Sequence, residues 1–269
     1  MVDTRAYFTA ATSISMFVAN FDIKKLTNKT KQILAKKYPY NNCTAIVPIN
    51  LPYSLNSTLG SGRITNYIRN ITHIHYYHLS VLVGIILTDG WLQLGKSSWN
   101  SRFGLKQGFV NFEYMWHVYQ ILSHFCPAVP YTTKNFMRGK LNHSLELQTR
   151  TYPFFTNLHS LFYKNNIKTL PAPEILFNLI TPLTLAHMIM CDGARRNKSI
   201  LICTDNFTIY EVVQIRNILR IKFRLDCTMH LDNGYPRIYI LKSSMATLVN
   251  LVNPYIIPSM QYKLKGVKK

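Results

Sequence analysis

Two short segments of this sequence are apolar at almost every position, and both end in Asp-Gly. They are Leu82–Gly90 and Leu185–Gly193, and their apolar character predicts two buried helices. The residues that follow each segment change to an alternating pattern. After the first segment, Phe103 and Leu105 alternate with polar neighbours such as Arg102, which predicts a β-hairpin with one apolar face and one polar, basic face.

The second half of the sequence repeats the order of the first. Gln107–Tyr114 aligns with Asp205–Val212 at an offset of 98 residues, whereas the two Asp-Gly pairs are 103 residues apart. A longer first hairpin around Ser97–Ser101 absorbs the difference. Further elements are predicted at matching places in both halves: helices at 110–125, 153–165, 208–221 and 243–253, and hairpins at 129–150 and 225–242. The fold class is therefore α+β, built from two similar units in tandem.

The first part of the chain differs from the rest in composition and hydrophobic pattern. Residues 1–78 are rich in Asn, Thr, Ser, Lys and Tyr, and the stretch Pro48–Gly62 has prolines without hydrophobic periodicity. We expect three parts: an N-terminal extension over 1–78, a first repeat over 79–175 and a second repeat over 176–269.

The composition of the chain limits the classes of molecule that it is expected to bind. The chain has 31 basic and 11 acidic residues, a formal net charge of +20, so its surface should attract polyanions, above all nucleic acid. No segment approaches the roughly 18 uninterrupted apolar residues that cross a bilayer, and no long helix is basic on one face and apolar on the other. We therefore expect no membrane partner. The five cysteines are widely spaced and lack a C-x-x-C pair, which argues against a zinc ribbon.

The acids of the two Asp-Gly pairs, Asp89 and Asp192, are the main candidates for chemistry. A single Asp-Gly is a common helix stop, in which Gly supplies the positive φ of a C-terminal cap. Two such acids at matching places in a repeat need a further explanation, because the negative end of a helix dipole disfavours a carboxylate. If the two helices pack about a pseudo-twofold axis, both carboxylates meet at one end. A hard cation such as Mg²⁺ would then offset their repulsion.

Both segments resemble the signature of the LAGLIDADG homing endonucleases, in the single-chain branch that carries two repeats. The resemblance covers about residues 79–264, and it extends to flanking stretches: Thr151–Phe155, Lys168–Pro171, Leu183–Ala186, Cys203–Asp205, Arg237–Ile240 and Pro258–Leu264. One departure is His187, which stands where the family has a small third motif residue and implies looser helix packing. Gly84 keeps the first motif helix approachable.

The resemblance implies a fold and a site. Two pseudo-symmetric repeats would each supply a motif helix at their interface and an antiparallel sheet, the two sheets forming a saddle on DNA. Asp89 and Asp192 would bind the catalytic Mg²⁺, with Thr88 and Cys191 beside them in the metal set, and Ca²⁺ or Mn²⁺ able to replace Mg²⁺ for binding or activity. Lys168 and Lys263 occupy the places of the family's basic catalytic residues. The expected protein is a monomer that cuts both strands of DNA.

Polar residues on the predicted hairpins are the candidates for DNA contact, because a two-stranded ribbon fits the major groove and its outward side chains reach base edges. The set is Gln93, Lys96, Arg102, Lys106, Lys134, Arg138, Lys140, Gln148, Arg150, Arg195, Lys198, Thr228, His230, Arg237 and Tyr239.

The first residues indicate where the protein is made. Val2–Thr12 closely resembles a loop of cytochrome c oxidase subunit I, and the resemblance stops after Thr12. An intron reading frame continuous with its upstream exon would produce such a tail. We therefore expect a mitochondrial protein, translated without an import signal, whose target is the intronless allele of that gene.

Two alternatives remain open. A maturase of the same fold would bind its own group I intron RNA and assist splicing. A catalytically silent member would bind DNA without cutting it.

Overall fold

The computed structural model describes residues 64–95, 100–137, 139–196 and 199–265. Its first element is the short helix α1 (Asn66–Ile71), whose N-terminus is capped by the Thr65 hydroxyl. Arg69 on this helix donates a hydrogen bond of 2.6 Å to Thr151 Oγ1, so the end of the predicted extension is attached to the first repeat.

The two repeats contain the same elements in the same order. The first comprises α2 (Tyr76–Ile86), β1 (Gly90–Leu94), β2 (Ser101–Gly108), α3 (Phe112–Leu122), β3 (Tyr131–Met137), β4 (Lys140–Gln148) and α4 (Pro153–Phe162). A linker follows with β5 (Tyr163–Lys164), β6 (Ile167–Lys168) and α5 (Pro173–Leu179). The second comprises α6 (Pro182–Asp192), β7 (Gly193–Arg196), β8 (Ser199–Cys203), α7 (Ile209–Phe223), β9 (Cys227–Asp232), β10 (Tyr235–Ile240) and α8 (Met245–Val252), and α9 (Tyr262–Lys265) closes the described chain. Helix α2 begins three residues before the predicted boundary at 79.

Each repeat forms a four-stranded antiparallel sheet. The strand orders are β1-β2-β4-β3 and β7-β8-β10-β9, which are equivalent under the repeat. In the first hairpin six residues (95–100) separate β1 from β2, whereas two (197–198) separate β7 from β8. The predicted α+β fold with two pseudo-symmetric repeats, and the longer first hairpin, are confirmed.

The two motif helices, α2 and α6, pack against each other in the centre of the protein. Val81–Ile86 and Leu185–Met190 are almost completely buried. The Thr184 hydroxyl of α6 donates a hydrogen bond of 3.1 Å to the Ser80 carbonyl of α2. A Cβ on Gly84 would lie 2.8 Å from the His187 Cβ. The expected looser packing at His187 is therefore wrong, because the missing side chain of Gly84 lets the helices approach closely.

The glycines of the two Asp-Gly pairs are needed for space. Gly193 has φ −73°, and no positive φ occurs at Gly90. A Cβ on Gly193 would lie 2.5 Å from the Ile189 carbonyl oxygen, and one on Gly90 would lie 2.8 Å from the Ile85 Cγ2. Neither glycine therefore forms the left-handed cap that a single Asp-Gly commonly makes. Gly is required because the first strand leaves the helix too close for a side chain.

Strand register divides each sheet into two faces. Phe103 and Leu105 of the first sheet, and Ile238 and Ile240 of the second, face the core beneath the helices. The opposite face of each sheet is called the polar face below, since side chains alternate along a strand. In the described part of the chain no single helix is long and apolar enough to cross a membrane, although α5 and α6, bent by 88° at their break, together reach that length and composition.

Candidate metal site and nucleic-acid face

Asp89 and Asp192 come together where the two motif helices end. Asp89 lies in the turn after α2, and Asp192 is the last residue of α6. Burial, and then the negative charge of Asp89, raise the pKa of Asp192 to about 7. A carboxyl whose pKa is raised in this way needs a cation to remain charged at neutral pH.

Asp89 lines an open cleft of about 520 Å³. Both repeats and the linker contribute to its lining: Thr88, Asp89, Gly90, Trp91, Tyr163, Ile167, Lys168 and Asn206. The part of the chain that the structure describes holds no cluster of three or more acidic, histidine or cysteine side chains suited to a metal. A cation held by two carboxylates keeps several waters, as Mg²⁺ usually does. The carboxylates of Asp89 and Asp192 therefore suit a hard cation that keeps part of its water shell.

The two predicted lysines each cover the carbonyl end of one motif helix. Lys168 Nζ donates hydrogen bonds of 3.0 Å to the carbonyl oxygens of Thr88 and Gly90. Lys263 Nζ donates to the carbonyl oxygens of residues 189–191, at 3.1, 2.6 and 3.1 Å. Burial lowers the pKa of Lys168 to about 8 and also lowers that of Lys263, while Asp89 and Asp192 oppose both shifts. The structure thus brings both lysines to the acids, in equivalent positions.

Thr88 and Cys191 lie at the site with their side chains already in contact with the protein. The Thr88 hydroxyl donates a hydrogen bond of 3.0 Å to the Gly84 carbonyl. The Cys191 thiol lies 3.1 Å from the Tyr114 hydroxyl, which also lies 3.0 Å from His187 Nδ1. Their place in the metal set stays a prediction.

Gln107 is a residue of the site that the sequence analysis missed. Its Nε2 donates a hydrogen bond of 2.6 Å to Asp89 Oδ2, and its Oε1 accepts one of 2.9 Å from Asn111 Nδ2. Gln107 continues the core-facing positions of Phe103 and Leu105 on β2. A polar residue at an apolar position of an alternating strand was the signal that could have identified it.

Part of the predicted DNA-contact set lies on the polar faces. On the first sheet these residues are Gln93, Arg102, Lys106 and Gln148, and on the second they are Thr228, His230, Arg237 and Tyr239. Several contact one another or a neighbouring acid. Arg102 donates to Gln93 Oε1 at 2.8 and 3.1 Å, and Gln148 donates to Glu146 at 2.5 Å. Thr228 Oγ1 lies 2.9 Å from His230 Nε2.

Three other candidates are placed elsewhere. Lys134 pairs with His143 in β4 and therefore lies on the opposite face from Lys106; its side chain is exposed, and its contact with DNA stays a prediction. Arg195 pairs with Ile200 on the core-facing side, where its guanidinium donates to the Leu264 carbonyl oxygen, so its predicted outward position is wrong. Strand parity decides both cases. Arg150 follows the end of β4, and its backbone N–H donates to the Phe125 carbonyl at 2.8 Å.

The remaining candidates are Lys96, Arg138 and Lys198, which lie outside the described residues, and Lys140, which begins β4 and of whose side chain nothing is described.

The sequence from 79 to 248 matches the LAGLIDADG DNA endonuclease family, and this range includes all strands of both four-stranded sheets, the whole of α6 and α2 from residue 79 onward. The chain belongs to the LAGLIDADG DNA endonuclease family.

Named relatives of this LAGLIDADG protein fall into two groups. It is 32% identical over 210 residues to the probable intron-encoded endonuclease 1 of Wickerhamomyces canadensis, covering 75% of this chain and 89% of that protein. It is 31% identical over 227 residues to the cytochrome b mRNA maturase bI2 of Saccharomyces cerevisiae, covering 79% of this chain. The match spans about half (52%) of that maturase.

A solved relative has the same fold. The homing endonuclease I-WcaI bound to its DNA recognition sequence superposes with a TM-score of 0.70 at 29% identity, over 77% of this chain and 95% of that one.

Two further residues of this LAGLIDADG protein lie on the polar faces and were missed. Arg196 is exposed and pairs with Ser199 at the edge of the second sheet, next to the inward Arg195. Trp91 directly follows the first Asp-Gly pair and lines the cleft beside Asp89. Side chains alternate between the two faces along β1 and β7, so counting positions from the glycine of each Asp-Gly pair would have identified both residues.

Proposed function

We propose that this protein is a site-specific homing endonuclease that makes a metal-dependent, staggered double-strand break in DNA. One observation carries the proposal: Asp89 and Asp192 meet at the ends of the packed motif helices, with a lysine on each helix end, Lys168 partly buried and Lys263 buried. The family membership supports a nuclease, and a divalent cation suits this carboxylate pair, in which burial and the charge of Asp89 raise the pKa of Asp192.

Asp89 and Asp192 would hold Mg²⁺, for which Mn²⁺ or Ca²⁺ can be exchanged in experiments. When bound, the metal would supply an activated water and neutralise charge on the scissile phosphate. Gln107 holds the Asp89 carboxylate in place from the core side. Lys168 and Lys263 keep positive charge beside the acids, where it favours a phosphate that gains negative charge in the transition state.

Recognition would belong to the polar faces of the two sheets. The net charge of +20 favours any DNA, whereas the polar-face side chains would discriminate among base sequences in the major groove. Because one chain supplies both repeats, both acids and both lysines, a monomer would suffice for cleavage of both strands.

The target we propose is the intronless allele of the host gene, mitochondrial cytochrome c oxidase subunit I. The support is the stretch Val2–Thr12, which reads like exon sequence and stops abruptly. A mitochondrial location follows from the same stretch. The relatives named as intron-encoded endonucleases and as a cytochrome b mRNA maturase accord with an intron reading frame.

The test is cleavage of matched DNA fragments with and without the intron. The intron divides the exon after Thr12, so the intronless fragment should be cut near that junction in Mg²⁺ at physiological salt, where non-specific phosphate binding is weak. The fragment that carries the intron has a divided site and should resist. Equal cutting of both fragments would contradict the proposal.

A maturase is the second candidate, because two relatives, each 31–32% identical, are named cytochrome b mRNA maturases. Splicing of the group I intron transcript with and without the purified protein tests it. Specific RNA binding and faster splicing without DNA cleavage would favour the maturase, and specific DNA binding with neither activity would identify a silent binder.

A further inference from the structure

Arg237 joins the polar face of the second sheet to an acidic residue near the metal site. Its guanidinium is bonded to Asp205 through two hydrogen bonds of 3.0 and 3.1 Å, and to Asp232 through one of 2.5 Å. The Arg237 side chain is 16% exposed, whereas those of Asp205 and Asp232 are 39% and 31% exposed. Solvent therefore reaches both carboxylates, and an anion from outside can compete for the guanidinium.

Asp205 aligns with Gln107 in sequence, at the 98-residue offset of the repeats. Strand register places Asp205 one residue beyond the position of Gln107, because Gly90 pairs with Leu105 and Gly193 pairs with Ile202. Both residues stand two positions before a buried phenylalanine, Phe109 or Phe207.

Gln107 contacts the acid of its own repeat at 2.6 Å. Asp205 instead turns to Arg237, although its charge still acts on Asp192 and its neighbour Asn206 lines the cleft beside Asp89. The two halves of the site therefore differ, because Gln107 contacts Asp89 whereas Asp205 contacts Arg237.

We propose that Arg237 is a latch, which withholds Asp205 from the second half of the metal site and releases it when the guanidinium turns to DNA. This inference rests on the proposed endonuclease function. Arg237 faces the polar side of the sheet, opposite His230 on β9 and Cys203 on β8, where DNA would lie. Phosphate and guanine are both good partners for an arginine fork, so DNA competes directly with the carboxylates.

Release would give the second half of the site a carboxylate beside Asp192, able to bind the metal directly or through water. In the first half, the side chain that contacts the motif acid is a neutral amide, Gln107. Metal binding by the two halves would then depend on DNA to different extents. An enzyme with this latch binds its cation tightly only after the second sheet has met its half-site, which links recognition to cleavage.

The latch can be tested with metal alone, in the DNA-free protein. Tb³⁺ is an oxygen-seeking probe whose luminescence is sensitised by a nearby aromatic ring, and Trp91 lines the cleft. Arg237→Met should tighten Tb³⁺ binding several-fold, because Asp205 is set free. Arg196→Met, a matched loss of positive charge from the same polar face, should not. Competition with Mg²⁺ and Ca²⁺ checks that the hard-cation site is being measured.

A double-mutant cycle separates a freed ligand from a change in the electrostatic field. Asp205→Asn alone should leave DNA-free Tb³⁺ affinity nearly unchanged, because its carboxylate is already withheld, and it should abolish the gain caused by Arg237→Met. Asp232→Asn, which also loses a contact to Arg237, should behave like the wild type. Circular dichroism of each variant verifies folding.

A gain that persists in the Arg237→Met, Asp205→Asn double variant, or no gain in Arg237→Met, would overturn the latch. Asp89→Asn distinguishes this failure from failure of the proposed function. If Asp89→Asn weakens Tb³⁺ binding but Arg237→Met has no effect, only the latch is wrong. If Asp89→Asn also has no effect, the acid pair is not the metal site.

Discussion

The indole of Trp91 lies directly over Gly104, its partner across β1 and β2. A Cβ on Gly104 would lie 2.5 Å from Cζ2 and 2.7 Å from Nε1 of the indole. The second repeat fills the equivalent place in the opposite way, with a small Ala194 on the first strand and a buried Leu201 on the second. Large and small residues have exchanged strands between the repeats, and this part of the polar face stays filled in both.

Gly104→Ala is expected to destabilise the protein by about 1–3 kcal/mol, because the added methyl group overlaps the indole. Gly108→Ala is the matched control on the same strand, since a Cβ there meets nothing within 4 Å. It should be neutral or slightly stabilising. Chemical denaturation measures both. The double change Trp91→Ala with Gly104→Leu copies the second repeat and should recover part of the loss; equal stability of the two glycine variants would contradict the packing described.

Asp89→Asn and Asp192→Asn should each abolish double-strand cleavage and preserve DNA binding, because each removes a charged metal ligand with little change of shape. Cleavage of labelled target DNA and binding in Ca²⁺ are the two measurements. Asp226→Asn, an exposed acid on the second sheet's edge loop, is the control and should cut normally. Full cleavage by either motif variant would remove that residue from the site.

Lys168→Met and Lys263→Met should slow cleavage more than they weaken DNA binding, because the phosphate carries its extra charge only in the transition state. Each should also lower stability by roughly 1.5–3 kcal/mol per hydrogen bond lost to a charged donor, since each ammonium group covers carbonyl oxygens at a helix end. Single-turnover rates, DNA affinity and denaturation report the three effects. Lys164→Met, four residues before Lys168 and exposed, is the control; loss of affinity alone would make the lysines ordinary phosphate contacts.

Two histidines, His187 fully buried and His117 partly buried, should make the protein sensitive to mild acid. Burial lowers the pKa of His187 to about 3 and that of His117 to about 4, and the two rings stack at 6.0 Å. The unfolded chain binds these protons near pH 6.5 and the folded chain does not, so stability falls as pH drops below 6.5, by roughly 2 kcal/mol per histidine at pH 5.

Asp192 acts in the opposite direction between pH 4 and 7, because its pKa is raised to about 7 in the folded state. The comparison of His187→Gln with the wild type isolates the histidine. The variant should lose less stability between pH 7 and pH 5 than the wild type in urea denaturation. Parallel pH profiles for the two proteins would show that His187 is not buried as a neutral ring.

The sequence by itself determined the repeat, the α+β fold and the paired acids. Asp89 and Asp192 end apolar segments at matching places, and periodicities of helix and strand are local properties that a chain displays before it folds. Lys168 and Lys263 were found through the family resemblance, and the structure places both at the acids. Charge and composition indicated a polyanionic partner without any coordinates.

Only the tertiary structure decided which residues share a face and which contacts are already made. A shift of one residue in strand register reverses the face, so Lys134 and Arg195 could not be assigned from composition alone. The contact from Gln107 to Asp89 and the pairing of Arg237 with Asp205 join residues 18 and 32 positions apart. Such contacts depend on how separate elements pack, which local sequence patterns do not specify.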